Sequence, residues 1–87
     1  MNKMVEQISE LDNLISNLNE VHEDATVPKN VRTKIELIIS TLREEIELSI
    51  KINKILNELD SIATDVNLQS YTRTQIWNIM SALEKLH

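Results

Sequence analysis

Cysteine, glycine and phenylalanine are absent from this 87-residue chain, proline occurs once at Pro28, and Trp77 and Tyr71 are the only aromatics. Each gap excludes something. Without cysteine there is neither a disulfide framework nor a thiolate metal site, which fits a reducing compartment. Without glycine no loop can wrap a phosphate in backbone N–H groups as glycine-rich nucleotide loops do. The shortage of aromatics and of glycine turns argues against β-hairpins. No apolar run approaches the roughly 18 residues of a membrane-spanning helix, and Met1 to Glu10 holds no long apolar stretch after Lys3. The sequence therefore predicts a cytoplasmic chain that neither spans a membrane nor carries a visible export signal. Positive charge is also short: 9 Lys and Arg stand against 14 Asp and Glu, for a net charge of −5. An acidic surface repels phosphate polyanions, so nucleic acid is not an expected partner. No acidic tail or basic arm concentrates the charge. At this length one domain with a modest core is expected, which makes a large catalytic cleft improbable.

What is present is aliphatic and periodic. Met4, Ile8, Leu11, Ile15 and Leu18 recur at steps of four and three, the spacing of one face of a helix. A second stripe runs through Val31, Ile35, Ile38, Ile39 and Leu42. A third holds Leu48, Ile52, Ile55, Leu56, Leu59 and Ile62, and a fourth Ile76, Ile79, Met80, Leu83 and Leu86. Four amphipathic stripes predict four helices around one core, an all-α four-helix bundle. Pro28 suits the first turn of helix 2, where a missing N–H has no consequence. The polar stretch Asp65 to Gln69 precedes Ser70, a candidate N-cap or first-turn residue of helix 4.

Nothing between helices 2 and 3 is a helix breaker, and an internal repeat supplies the missing boundary. Displaced by the 41 positions from Asp24 to Asp65, the chain superposes Leu18 on Leu59, Arg32 on Arg73, Thr33 on Thr74, Ile35 on Ile76, Ile38 on Ile79 and Leu42 on Leu83. Both halves, about residues 1–45 and 46–87 of a single domain, then read as helix, polar turn, helix. Helix 2 is expected to end near residue 45, with a break between about Arg43 and Leu48.

The segments Asp24 to Arg32 and Tyr71 to Ile79, the latter closed by Ser81 to Glu84, resemble uncharacterised protein family 0147, a group of small archaeal proteins. The resemblance covers almost the whole chain. It implies a four-helix up-and-down bundle and brings no activity, ligand or catalytic residue. The family pattern also has prolines where this chain has Glu47 and Gln69, which supports a break before Leu48.

Candidate chemistry is thin. Di-metal bundles need Glu-x-x-His on two helices and further inward carboxylates. Here Glu84 and His87 form the one such pair, at the C-terminal end, while the inward stripes are Ile and Leu. His22, Glu23 and Asp24 are adjacent, but helical neighbours point about 100° apart and do not chelate together; His22 is better read as a side chain meeting the negative end of helix 1. No serine has an obvious base, so nucleophilic catalysis has no support. No cofactor or metal is expected, and the chain reads as a non-enzyme.

Two features remain. Asp24 and Asp65, with Arg32 and Arg73, form repeated structural pairs in which each Asp accepts hydrogen bonds in its turn or pairs with its own Arg. The sharper alternative makes the two arginines an anion-binding patch. On a helical wheel Arg73, Thr74, Trp77 and Ser81 share a flank of helix 4, repeated on helix 2 as Arg32, Thr33, Glu36 and Ser40. That flank is either a second helix contact within the bundle or a surface for another protein. Because charged Glu36 stands where the second half has Trp77, Trp77 is expected outside the core. Leu37, Ile46 and Ile50 also lie off their stripes. Trp77, Arg73, Ser81, Leu37 and Ile50 are accordingly the candidate partner-binding residues of an interaction module or a homo-oligomer. The alternative is a bundle that binds a small molecule or anion through Arg32 and Arg73.

Overall fold

A computed structural model describes the backbone of residues 3–86 and the side chains of residues 10–86. It contains four helices: α1 (Lys3–Glu23), α2 (Lys29–Leu42), α3 (Leu48–Ala63) and α4 (Ser70–Glu84). Each packs on its neighbours in sequence and α1 packs on α4, which closes an up-and-down ring around one core. Unbroken helix from Pro28 to Thr64 would run about 55 Å, longer than the 40 Å of the molecule's greatest extent.

The break falls between Arg43 and Leu48, as the repeat suggested, while α2 itself ends at Leu42 and not near residue 45, because the last turn tightens. Arg43 and Glu44 donate their N–H groups to the carbonyls of Ser40 and Thr41, three residues back. Lys51 of α3 then reaches over and donates from Nζ to the carbonyl of Leu42 at 3.1 Å, satisfying one of the acceptors that a helix end leaves free.

Three helices begin the same way. The residues just before α2, α3 and α4 are Pro28, Glu47 and Gln69, with φ of −56°, −55° and −67° and ψ of 146°, 135° and 149°. None uses its side chain as a cap. Pro28 thus lies one residue outside α2, and Ser70 is the first residue of α4 with Gln69 in the cap position. The φ values at Glu47 and Gln69 match the one a proline ring imposes, and proline there narrows the unfolded ensemble without straining the folded one. Glu47→Pro and Gln69→Pro should each raise stability by about 0.4–1 kcal/mol, measured by denaturant unfolding. A loss of that size at either site would show that its N–H or its preceding residue was needed.

The core is aliphatic: Leu14, Leu18 and Val21 from α1, Val31, Ile35, Ile38, Ile39 and Leu42 from α2, Ile52, Ile55, Leu59, Ile62 and Ala63 from α3, and Ile76, Ile79 and Leu83 from α4, with Leu86 beyond it. Leu11, Ile15, Leu48, Leu56 and Met80 pack at its margin. The first stripe is therefore centred on Leu14, Leu18 and Val21 more than on Leu11 and Ile15. The side chains of Met4, Ile8 and His87 lie outside the described residues. Two core elements escape stripe counting. Val27 and Leu68, one in each turn and 41 positions apart, are both buried and plug the same end of the bundle. Thr72 is also buried, where the first half has Val31, a side chain of nearly the same shape.

Candidate functional site

The α1–α2 and α3–α4 turns both lie at the end plugged by Val27 and Leu68. In each, the N–H of the residue after Asp+2 closes on the Asp carbonyl, Val27 on Asp24 at 3.1 Å and Leu68 on Asp65 at 3.2 Å. The Asp side chains stabilise the same bend by turning onto their own backbone, a habit of Asx residues. Asp24 Oδ1 accepts the Thr26 N–H at 2.9 Å and the Thr26 hydroxyl at 2.7 Å. Asp65 Oδ1 accepts the Asn67 N–H at 2.8 Å, and its Oδ2 accepts from Asn30 Nδ2 at 3.1 Å across the helix pair.

Both carboxyls are held below their ordinary pKa. For Asp24 the main cause is the Thr26 hydroxyl, then the Thr26 N–H; for Asp65 it is the Asn67 N–H, then the Asn30 amide. A carboxyl depressed in the folded state contributes stability that is complete above its unfolded pKa, near 4, and is lost as pH falls through the folded value. Acid unfolding should therefore steepen below about pH 4, and the Asp24→Asn/Asp65→Asn double variant, which keeps an oxygen acceptor in each turn, should show a flatter acid limb. An identical limb in the variant would remove the two carboxylates from the account.

The two arginines differ sharply. Arg73 lies against the C-terminal end of α3, where Nε donates to the Ala63 carbonyl at 2.9 Å and Nη2 donates to the carbonyls of Asp65 at 3.0 Å and Leu68 at 3.2 Å. One guanidinium thus satisfies a helix end and both sides of its turn. Arg32 makes none of the equivalent bonds, and its buried Nε has no hydrogen-bond partner among the described residues. Neither Arg bonds the carboxylate of its own repeat among the described residues; Asp24 is satisfied within its own turn, and Asp65 by its turn and by Asn30.

The flank residues scatter. Trp77 is 54% exposed, Leu37 61% and Ile50 51%. Leu37 edges a groove of about 370 Å³ between α2 and α3, beside Thr41, Lys54, Asn57 and Glu58. Ser81 lines a different groove, between α4 and α1. Glu36, the counterpart of Trp77, is turned outward and meets His22 Nε2 of α1 at 2.7 Å through Oε1. His22 therefore bridges two helices, a role its position at the end of α1 did not announce. Tyr71 and Val66 are further exposed apolar side chains near the second turn. Among the described residues no three acidic or histidine side chains gather to hold a metal ion, and no helix is long and apolar enough to cross a membrane.

The family model described as Uncharacterised protein family (UPF0147) matches residues 1–86. The chain belongs to this family. A UPF0147 protein of Archaeoglobus fulgidus is 34% identical over 76 residues, 87% of each chain. The crystal structure of a UPF0147 protein from Thermoplasma acidophilum superposes with a TM-score of 0.87 at 33% identity, covering 93% of this chain and 96% of the other. A crystal structure of the unknown-function protein MMP1188 superposes at 0.80 with 42% identity over 86% of each. The UPF0147 fold is thus a four-helix bundle, as the aliphatic stripes predicted.

Proposed function

We propose that this UPF0147 chain is a non-enzymatic interaction module that meets another protein, or a second copy of itself, through side chains left outside a complete core. The observation that carries this reading is Trp77. Its 54% exposure lies on a subunit whose interior is already filled by aliphatic residues, and tryptophan is enriched at the centres of protein interfaces. Leu37 and Ile50 add apolar surface on other helices, α2 and α3, so Trp77 alone is taken as the centre of the contact. The alternative of an anion-binding bundle loses half its residues, since the Arg73 guanidinium is engaged with three carbonyls.

Because Trp77 is the only tryptophan, its fluorescence reports this surface without ambiguity. Acrylamide should quench it readily in dilute protein, and quenching should weaken as concentration rises and light scattering registers a larger species. Strong protection in a strict monomer would place Trp77 in the core and end this reading.

A further inference from the structure

Three of the four helix seams are crossed by a side-chain hydrogen bond. His22 meets Glu36 between α1 and α2, Lys34 Nζ donates to Ser61 Oγ at 2.9 Å between α2 and α3, and Arg73 holds the Ala63 carbonyl between α4 and α3. The α1/α4 seam has no such bond among the described residues, although groups able to form one line both of its sides. Asn13 and Asn17 of α1 face Gln75 and Asn78 of α4 along two adjoining hollows of about 410 and 170 Å³, which share Asn17 and Asn78. Asn17, Gln75 and Asn78 make no side-chain hydrogen bond to any described residue. The floor is Leu14, Ile79 and Ala82. This seam also joins the first helix to the last, so no short loop fixes its width.

We propose that the α1/α4 seam is a docking groove for an extended polypeptide segment of a partner, held through its main chain by the amides of Asn13, Asn17, Gln75 and Asn78. A carboxamide offers donors and an acceptor together, the same pair that every peptide unit presents. The register fits: Asn13 and Asn17 are separated by about 6 Å of helix rise, close to the roughly 6.6 Å between alternate residues of an extended strand, which present their main-chain groups to the same side. From Glu10 to Glu20 the groove runs about 15 Å, the length of four or five extended residues. A docking helix satisfies its own main chain and would leave these amides unmatched. Glu20 stands at the Gln75 end of the groove and Glu10 with Lys85 at the other, so a basic side chain of the segment is favoured beside Glu20.

The groove is separate from the surface around Trp77, and the position of the response distinguishes the two. The probe is a capped five-residue peptide of alternating valine and threonine with one lysine, titrated into isotope-labelled full chain while the side-chain amide signals are followed by NMR. The expected result is a saturable shift of the Asn13, Asn17, Gln75 and Asn78 amides. It should weaken about tenfold or more both for the same peptide N-methylated at alternate positions and for Asn17→Ala/Asn78→Ala. These are exposed helix positions where alanine preserves the fold, which an unchanged melting temperature verifies. Shifts of equal size with the methylated peptide, shifts centred on Trp77 or Leu37, or no saturable shift at low-millimolar peptide would each overturn the proposal.

Discussion

Arg73→Met should cost about 3 kcal/mol, while Arg32→Met at the equivalent position should be close to neutral. Removing Arg73 strands the carbonyls of Ala63 and Leu68 and leaves that of Asp65 with the Leu68 N–H alone. Hydrogen bonds from a charged donor are worth about 1.5–3 kcal/mol each, and an abandoned buried acceptor costs about 1–3 kcal/mol. The bonds share one side chain and the site is partly open to water, which keeps the total below the sum of three separate bonds. In a domain of this size the loss lowers the melting temperature by more than about 10 °C. Arg32 already has a buried, unpartnered Nε, so methionine there removes an unmet polar group along with whatever packing the arginine stem supplies. Equal losses at the two positions, read by denaturant unfolding, would contradict the asymmetry seen in the structure.

Leu68→Ala should be comparably severe, at about 2–5 kcal/mol, the range for emptying a fully packed leucine site. Leu68 sits in a turn, where apolar residues are ordinarily dispensable, yet it is as buried as the helical stripes and closes the end of the core beside Val27. Val66, two residues earlier in the same turn, points to water. Val66→Ala should therefore change stability by less than about 0.5 kcal/mol. If the two variants unfolded at the same denaturant concentration, the turn would not be part of the core.

These residues mark what the sequence discloses and where it stops. Helix periodicity needs only the spacing of Ile and Leu, and that spacing placed most of the core of α2, α3 and α4. Val27 and Leu68 were hidden because a lone apolar residue in a polar turn has no period; their matching positions in the two turns were the available signal. Thr72 was hidden by its hydroxyl, and its alignment with Val31 would have exposed it. The end of α2 was misplaced because no Gly or Pro marks it and its acceptor is satisfied by Lys51, nine residues away. The exposure of Trp77 was legible, since Glu36 at the corresponding place could not be buried unpaired. The partition of the two arginines was not. Each is followed by a threonine and, three residues on, by an isoleucine, and their difference lies in three hydrogen bonds that the sequence pattern does not announce.

The side-chain geometry also divides the surface. Ser81 lies on the α1 side of α4, Leu37 on the α2/α3 groove, and Arg73 is folded onto a helix end. A continuous patch of all five candidate residues is therefore not what the fold presents, and the weight of the interaction reading rests on Trp77.

The most direct measurement is equilibrium unfolding of Trp77→Ala beside the unaltered chain, with light scattering on the same samples. The account predicts a subunit that stays helical and loses less than about 1 kcal/mol, as expected of a half-exposed side chain, while its association weakens by the roughly 2 kcal/mol or more typical of an interface tryptophan. A loss of about 3–5 kcal/mol with association unchanged is the signature of a core cavity and would contradict it.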